Sequence, residues 1–197
     1  MKIQYHLLFA MMLVMASAQS QAGRQGIHFL YGGGLSVVIP QVRSNIVSHD
    51  PVAAGEIVVG VEEDGWAAEY SGLRSLDAGT NNAAADYNVT ISQVSLSYRT
   101  IERNGRYYKY KYGRMDQDIN IVSSTGATIA GSSSNQTSGD VYGFAIGFRR
   151  NQTERWEIEY SYYSRNTENS AQPYLSGAHM ISLHYIFGGA PYEGGGL

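Results

Sequence analysis

The stretch Ile181-Ser182-Leu183-His184-Tyr185-Ile186-Phe187 decides how this sequence is read. Taken two by two, Ile181, Leu183, Tyr185 and Phe187 fall on one side, and Ser182, His184 and Ile186 on the other. That is the alternation of a β-strand with two unlike faces. An aromatic closes the run, with apolar residues two, four and six positions before it. A strand so apolar along one side must turn that side toward a core or toward hydrocarbon, and the rest of the chain distinguishes the two.

Working back from this run, seven earlier stretches repeat the pattern. The first, Ile27 to Ile39, sets Phe29, Tyr31, Leu35 and Val37 against His28, Leu30, Gly32, Gly34, Ser36 and Val38. The second, Glu56 to Glu62, sets Ile57, Val59 and Val61 against Glu56, Val58, Gly60 and Glu62; Asp64-Gly65 then turns the chain into a third, Trp66 to about Arg74. In the fourth, Tyr87, Val89 and Ile91 keep one parity and Val94, Leu96 and Tyr98 the other. A bulge, or a change from aqueous to embedded strand, is therefore expected near Ser92-Gln93. Asn104-Gly105 leads to a fifth, with Tyr108, Tyr110 and Tyr112 opposing Tyr107, Lys109, Lys111 and Gly113. The sixth (Val141 to Arg149) and seventh (Trp156 to Tyr163) alternate in the same way. The sequence thus predicts an all-β fold of eight strands, an even number fit for an up-and-down transmembrane β-barrel.

The connections support closure of that kind. Residues 40–55, 77–86, 120–139 and 165–178 are long, whereas 62–65, 101–106 and 149–154 are short, and the two kinds alternate. An up-and-down barrel then gathers every tight turn at one end and every long loop at the other. The stretch 123–139, rich in Ser, Gly, Thr and Asn, reads as solvated loop.

Ahead of the strands, Lys2, the apolar run Leu7 to Ala16 and the small residues Ala16, Ala18, Ser20 and Ala22 form a secretory signal, with cleavage expected after Ala22. Ten apolar residues are too few to span a bilayer. The organisation expected is a signal peptide at 1–22, a barrel domain at 23–187 and a Gly-rich tail at 188–197. The 197 residues include 23 Gly and 16 Tyr but no Cys, which excludes disulfides, thiol catalysis and N-terminal Cys lipidation. A net charge of −3 with 16% charged residues gives no basic surface for nucleic acid.

One strand face collects Gly32, Gly34, Gly60, Ala67, Ser71, Ser95, Ser97, Gly143, Ala145 and Gly147, while the other holds nearly all the aromatics and branched aliphatics. An eight-stranded barrel leaves an interior just wide enough for side chains, so the small face belongs inside and the bulky face in lipid. Trp66, Tyr98, Tyr108, Phe148, Trp156 and Phe187 then lie near the short turns, as an interfacial aromatic girdle. The inner face also carries Glu56, Glu69, Arg99, Lys109, Lys111, Glu157 and Glu159, with Glu62, Arg149, His28 and His184 beside them. Uncompensated charges in so narrow a lumen cost several kcal/mol each, so these are expected to form a luminal charge-paired network. Glu157 and Glu159 read as partners for Lys109, Lys111 and Arg99 rather than as a general acid and base. His184 and His28 lack a third ligand, so neither a metal nor another cofactor is expected.

The signal peptide, the eight alternating strands, the segment Val59-Gly60-Val61-Glu62-Glu63-Asp64-Gly65-Trp66-Ala67-Ala68-Glu69-Tyr70 and the ending Leu183-His184-Tyr185-Ile186-Phe187 resemble the OmpA-like/opacity-protein β-barrel family. The resemblance implies a surface protein or small porin-like barrel of the Gram-negative outer membrane, without cofactor. It also implies that Leu183, Tyr185 and Phe187 act as the barrel-closing signal read by the outer-membrane assembly machinery. Three functions follow as expectations. The first is a structural or surface-interaction barrel, monomeric in the lipid, whose loops meet a surface ligand or host molecule. The second is a narrow diffusion channel. The third is a lipid A-modifying enzyme, which would need a His-Ser-Glu constellation facing lipid, whereas His184 points inward and His49 lies in a loop.

Overall fold

The computed structural model describes residues 27–42, 51–76, 85–100, 103–123, 135–151, 153–165 and 175–188. The expected signal peptide and, apart from Gly188, the expected tail lie outside the described residues. Eight strands follow in order: β1 (His28–Val42), β2 (Val52–Glu63), β3 (Trp66–Ser75), β4 (Ala85–Arg99), β5 (Arg106–Ser123), β6 (Asn135–Arg149), β7 (Glu154–Arg165) and β8 (Leu175–Gly188). Each pairs antiparallel with its neighbours in the chain, and β1 pairs with β8 to close the barrel.

The pairing register sets the geometry. Starting at Gln41 on β1 and stepping across paired residues, one passes Gly177, Ser164, Asp140, Arg114, Val94, Tyr70 and Val59. The path returns to β1 at Tyr31, ten residues below its start. Ten residues of stagger over eight strands tilt each strand by about 40°, so one residue climbs about 2.5 Å along the barrel axis.

Local sequence explains the tight ends. Asp64 and Gly65 have φ of 48° and 82°, and Asn104 and Gly105 of 53° and 71°. Two consecutive positive φ values are what a two-residue hairpin turn requires, and Asp-Gly and Asn-Gly adopt them at least cost. The strands run further toward the long connections than the alternation of apolar residues suggested, with β5 continuing to Ser123 and β8 beginning at Leu175.

The bulge expected near Ser92-Gln93 is not there. Ser92 and Gln93 pair in unbroken register with Asp116 and Met115 on one side and with Gly72 and Ser71 on the other. The irregularity among the described strands falls instead at Gln41/Val42, where β1 meets β8. Val89 and Ile91 face inward and are buried, whereas Val94 and Leu96 face outward in the same register. The change of parity in the sequence records a change in what fills the barrel, not a slip of the backbone.

The outer wall is apolar. Leu35, Ile57, Val94, Leu96, Tyr110, Ile158, Ile181 and Leu183 are all outward and at least 45% exposed. A continuous belt of this kind is not tolerated by water. On β3 the outward positions between Trp66 and the exposed Arg74 are Ala68, Tyr70 and Gly72, an uncharged span of about 20 Å. The girdle residues sit at one height above the turns, and their rings engage one another or a neighbouring strand: Trp66 with Tyr98 at 5.0 Å, Trp156 with Tyr185 at 4.4 Å, Tyr31 with Phe187 at 5.4 Å.

Candidate functional site

With the wall in lipid, the chemistry lies in the lumen, and register sorts its contents into two layers. The layer toward the short turns is charged. Glu62 on β2 receives Arg99 from β4 in a close ion pair and Arg155 from β7 at 2.9 Å. Arg155 Nε stands 3.1 Å from Glu157, whose carboxylate also accepts the Tyr107 hydroxyl at 2.7 Å. Lys109 then joins three strands: its Nζ lies 2.5 Å from Glu157 and 3.3 Å from both Glu69 and Glu159. Glu159 in turn holds Lys111 in a close ion pair and accepts the Ser161 hydroxyl at 2.8 Å. Both guanidinium groups lie over the Tyr107 ring, Arg99 at 4.9 Å and Arg155 at 5.7 Å from its centre.

Glu56 stands at the top of this layer. Its Oε2 accepts from Ser36 on β1 at 2.6 Å and from Ser182 on β8 at 3.1 Å, and the His184 Nε2 lies 2.9 Å away. Among the buried residues, five carboxylates thus face four Lys or Arg side chains and one histidine, and every carboxylate has a cationic or imidazole partner. The barrel brings together all seven charged residues singled out from the sequence. Two members of the cluster were missed there. Arg155 falls between the expected connection 149–154 and the strand expected from Trp156, although it shares the parity of Glu157 and Glu159. Tyr107 had been placed on the inner face without a task. Arg99 pairs closely with Glu62.

Space for this network is made locally. Gly147 on β6 lies directly beneath the Tyr107 ring, and a Cβ there would overlap it. Gly143 gives the same clearance to Lys111 and Ser161, each 2.9 Å from where its Cβ would stand.

The layer toward the long connections is mainly apolar, with the Gln117 amide also buried in it, which corrects the expectation of a lumen filled by small and charged residues throughout. Val38, Val52, Ala54, Leu73, Val89, Ile91, Met115, Val141, Tyr163, Ala178 and Met180 form one buried cluster to which all eight strands contribute. By register they occupy a slab about 9 Å thick, wholly above Glu56 and Lys111. A smaller cluster of Leu30, Val58, Ala67 and Ile186 lines the β8-to-β3 side lower down.

Neither the acids nor the histidine form a relay to a nucleophile. At Glu56 the carboxylate, not the imidazole, stands between the other groups and accepts from both serines, so among the described residues the serine–histidine–carboxylate order of a catalytic triad is not formed there. Glu157, Glu159 and His184 offer donor atoms within 4.8 Å of one another, a spacing a cation could bridge. The Lys109 ammonium already holds the position between the two carboxylates. Of the expected closing signal, Leu183 is exposed on the outer wall, and Tyr185 and Phe187 lie beside it with rings 4.7 Å apart, edge to face.

Neither a protein-family model nor a curated protein sequence matches the chain. Solved structures do. The N-terminal β-barrel domain of Pseudomonas aeruginosa OprF is 10% identical over 84% of this chain and 98% of that one, with a TM-score of 0.58. Its fold is that of the eight-stranded outer-membrane barrels. Ail, the attachment invasion locus protein of Yersinia pestis, is 13% identical over 83% of this chain and 99% of its own, TM-score 0.53. Neisserial surface protein A is 10% identical over 84% and 99%, TM-score 0.54. The likeness to these outer-membrane barrels is one of architecture, and it is the architecture that the OmpA-like/opacity resemblance implied.

Proposed function

We propose that this protein is a Gram-negative outer-membrane barrel whose strands form a closed, non-conducting frame and whose long connections interact with the outside. The observation that carries this reading is the apolar slab from all eight strands lying above a compensated ion network. An ion crossing the lumen would have to shed its water against mostly Val, Ile, Met and Ala side chains, with the Gln117 amide among them, which costs several kcal/mol even before it meets the network. The chain reaches the membrane through a cleaved signal at 1–22. Leu183, Tyr185 and Phe187 present the outward apolar stripe that the assembly machinery reads.

What the loops meet is constrained by their composition. Ail has been solved with the heparin analogue sucrose octasulfate. Here residues 43–50, 77–84, 124–134 and 166–174 together hold one arginine, Arg43, against Asp50, Asp77 and Glu168, among many Ser, Asn, Thr and Ala. Such loops suit an uncharged polar ligand, a neutral glycan or a protein surface, and not a polyanion. Ser182 and His184 are buried in the lumen and directed at Glu56, so neither serves the lipid-facing constellation that an enzyme acting on lipid A would need.

Planar-bilayer recording tests the frame. The purified protein is expected to give no reproducible conductance steps, and steps that change with Lys109→Glu would overturn the closed reading. On heparin resin the folded protein is expected in the flow-through at physiological salt.

A further inference from the structure

The junction of β1 with β8 is the one place where a barrel's first and last strands must find each other, and here β1 offers them few marks. Its middle reads Gly32-Gly33-Gly34, and the closing register is Gly32 to Ile186, Gly34 to His184 and Ser36 to Ser182. Strands rich in glycine specify register weakly, because no side chain distinguishes one pairing from the next. A slip of one residue is barred by the apolar pattern. A slip of two keeps every residue on its proper side and is not.

Two side-chain clasps distinguish the native pairing from that slip. Inside, Glu56 of β2 reaches past β1 and takes donors from both closing strands, Ser36 on one and Ser182 and His184 on the other, while the two serine oxygens lie 2.8 Å apart. Outside, the Gln41 amide nitrogen of β1 donates to His179 Nε2 at 2.6 Å. The opposite nitrogen, Nδ1, then carries the proton and donates to the Tyr160 oxygen at 2.7 Å. Sliding β8 by two residues places Met180 opposite Ser36 or Ile186 opposite Gly34, withdraws at least one donor from Glu56, and parts His179 from Gln41.

We propose that the Glu56 knot and the His179 clasp together set the register in which β8 closes onto β1. Closure also completes the shell of donors around Glu56, so the carboxylate is fully compensated only in the correct pairing. The inference holds whatever the loops bind.

The chain has no cysteine, so introduced pairs report register without background. Leu35 and Leu183 are directly opposite and exposed on the outer wall. With the full chain folded in detergent micelles, Leu35→Cys is combined with Leu183→Cys for the native pairing, or with Ile181→Cys or Tyr185→Cys for the two slips. Only the native pair is expected to cross-link in the otherwise unchanged chain. In Glu56→Gln/Ser182→Ala/His179→Leu, the slipped pairs are expected to rise by about tenfold or more. Native cross-linking alone in that variant overturns the proposal. Should the variant not fold, the Leu35/Leu183 disulfide formed beforehand is expected to restore folding. A control disulfide at Leu96/Tyr112, an equally exposed pair between β4 and β5, is not. Rescue by both disulfides, or by neither, counts against the proposal.

Discussion

The two halves of the lumen fill the same cross-section with opposite chemistry. Toward the short turns, a chain of ion pairs runs from Arg99 through Glu62, Arg155, Glu157 and Lys109 to Glu159 and Lys111. Toward the long connections the same strands offer Val, Ile, Leu, Met and Ala. An apolar slab packs in many nearly equivalent ways, whereas an ion network has few arrangements that leave no charge exposed. Under the closed frame proposed above, the difference assigns labour: the upper half seals, and the lower half fixes which strand stands beside which.

That contrast can be broken most forcefully at Lys109. Lys109→Met leaves Glu69, Glu157 and Glu159 facing one another without their shared cation, and about 3–5 kcal/mol of stability should be lost in urea titrations in micelles. A loss below about 1 kcal/mol would mean that water compensates those carboxylates and that the lower half is not a dry network. In the upper half, Met115→Ala should cost about 2–4 kcal/mol, the penalty of an unfilled cavity, with no conductance appearing. Replacing Ile91, Met115 and Val141 together by serine should wet the slab. Conductance steps in that triple variant and their absence in the parent would place the seal where the contrast puts it. Smaller than either is the effect of Gly147→Ala, whose methyl group must displace the Tyr107 ring. About 1–3 kcal/mol is expected, partly recovered when Tyr107→Leu is added. The smallest effect belongs to a charge outside the lumen. Arg150, exposed on the last short turn, stands 3.6 Å from the half-buried Glu154 and donates weakly to the Tyr185 hydroxyl at 3.4 Å, and Arg150→Ala should move the unfolding midpoint by less than any change above.

How far this could be read in advance follows from where alternation survives. Within the lipid belt one face must be apolar, so period two is written plainly in Tyr108-Lys109-Tyr110-Lys111-Tyr112 and in Trp156-Glu157-Ile158-Glu159-Tyr160. The inward and outward assignments there agree with the structure. Above the belt the outward face turns polar, as at Arg74, Thr90 and Asp116, while the backbone ladder continues, and so β5 and β8 outran their expected limits. The clasp at Gln41 and His179 lay in that blind zone. Arg155 was lost at the other end, one residue before the first aromatic of its strand. Val89 and Ile91 misled for a different reason. Alternation states that two faces differ, not which of them lies inside, and on upper β4 the apolar face is the inner one, with Thr90 and Ser92 outside.

The girdle of Trp66, Tyr98, Tyr108, Phe148, Trp156 and Phe187 lies within about 4 Å of a single plane normal to the barrel axis. Rings at the far edge of the belt are unevenly spread: β5 to β7 carry Tyr112, Tyr142 and Tyr160, while β1 and β2 at that height carry Leu35 and Ile57. The molecule is therefore moored along its inner shore and rides free on part of the outer one. When the bilayer thickens or thins, the waterline moves along Leu35 and Ile57, and the depth at which the short turns hang stays the same.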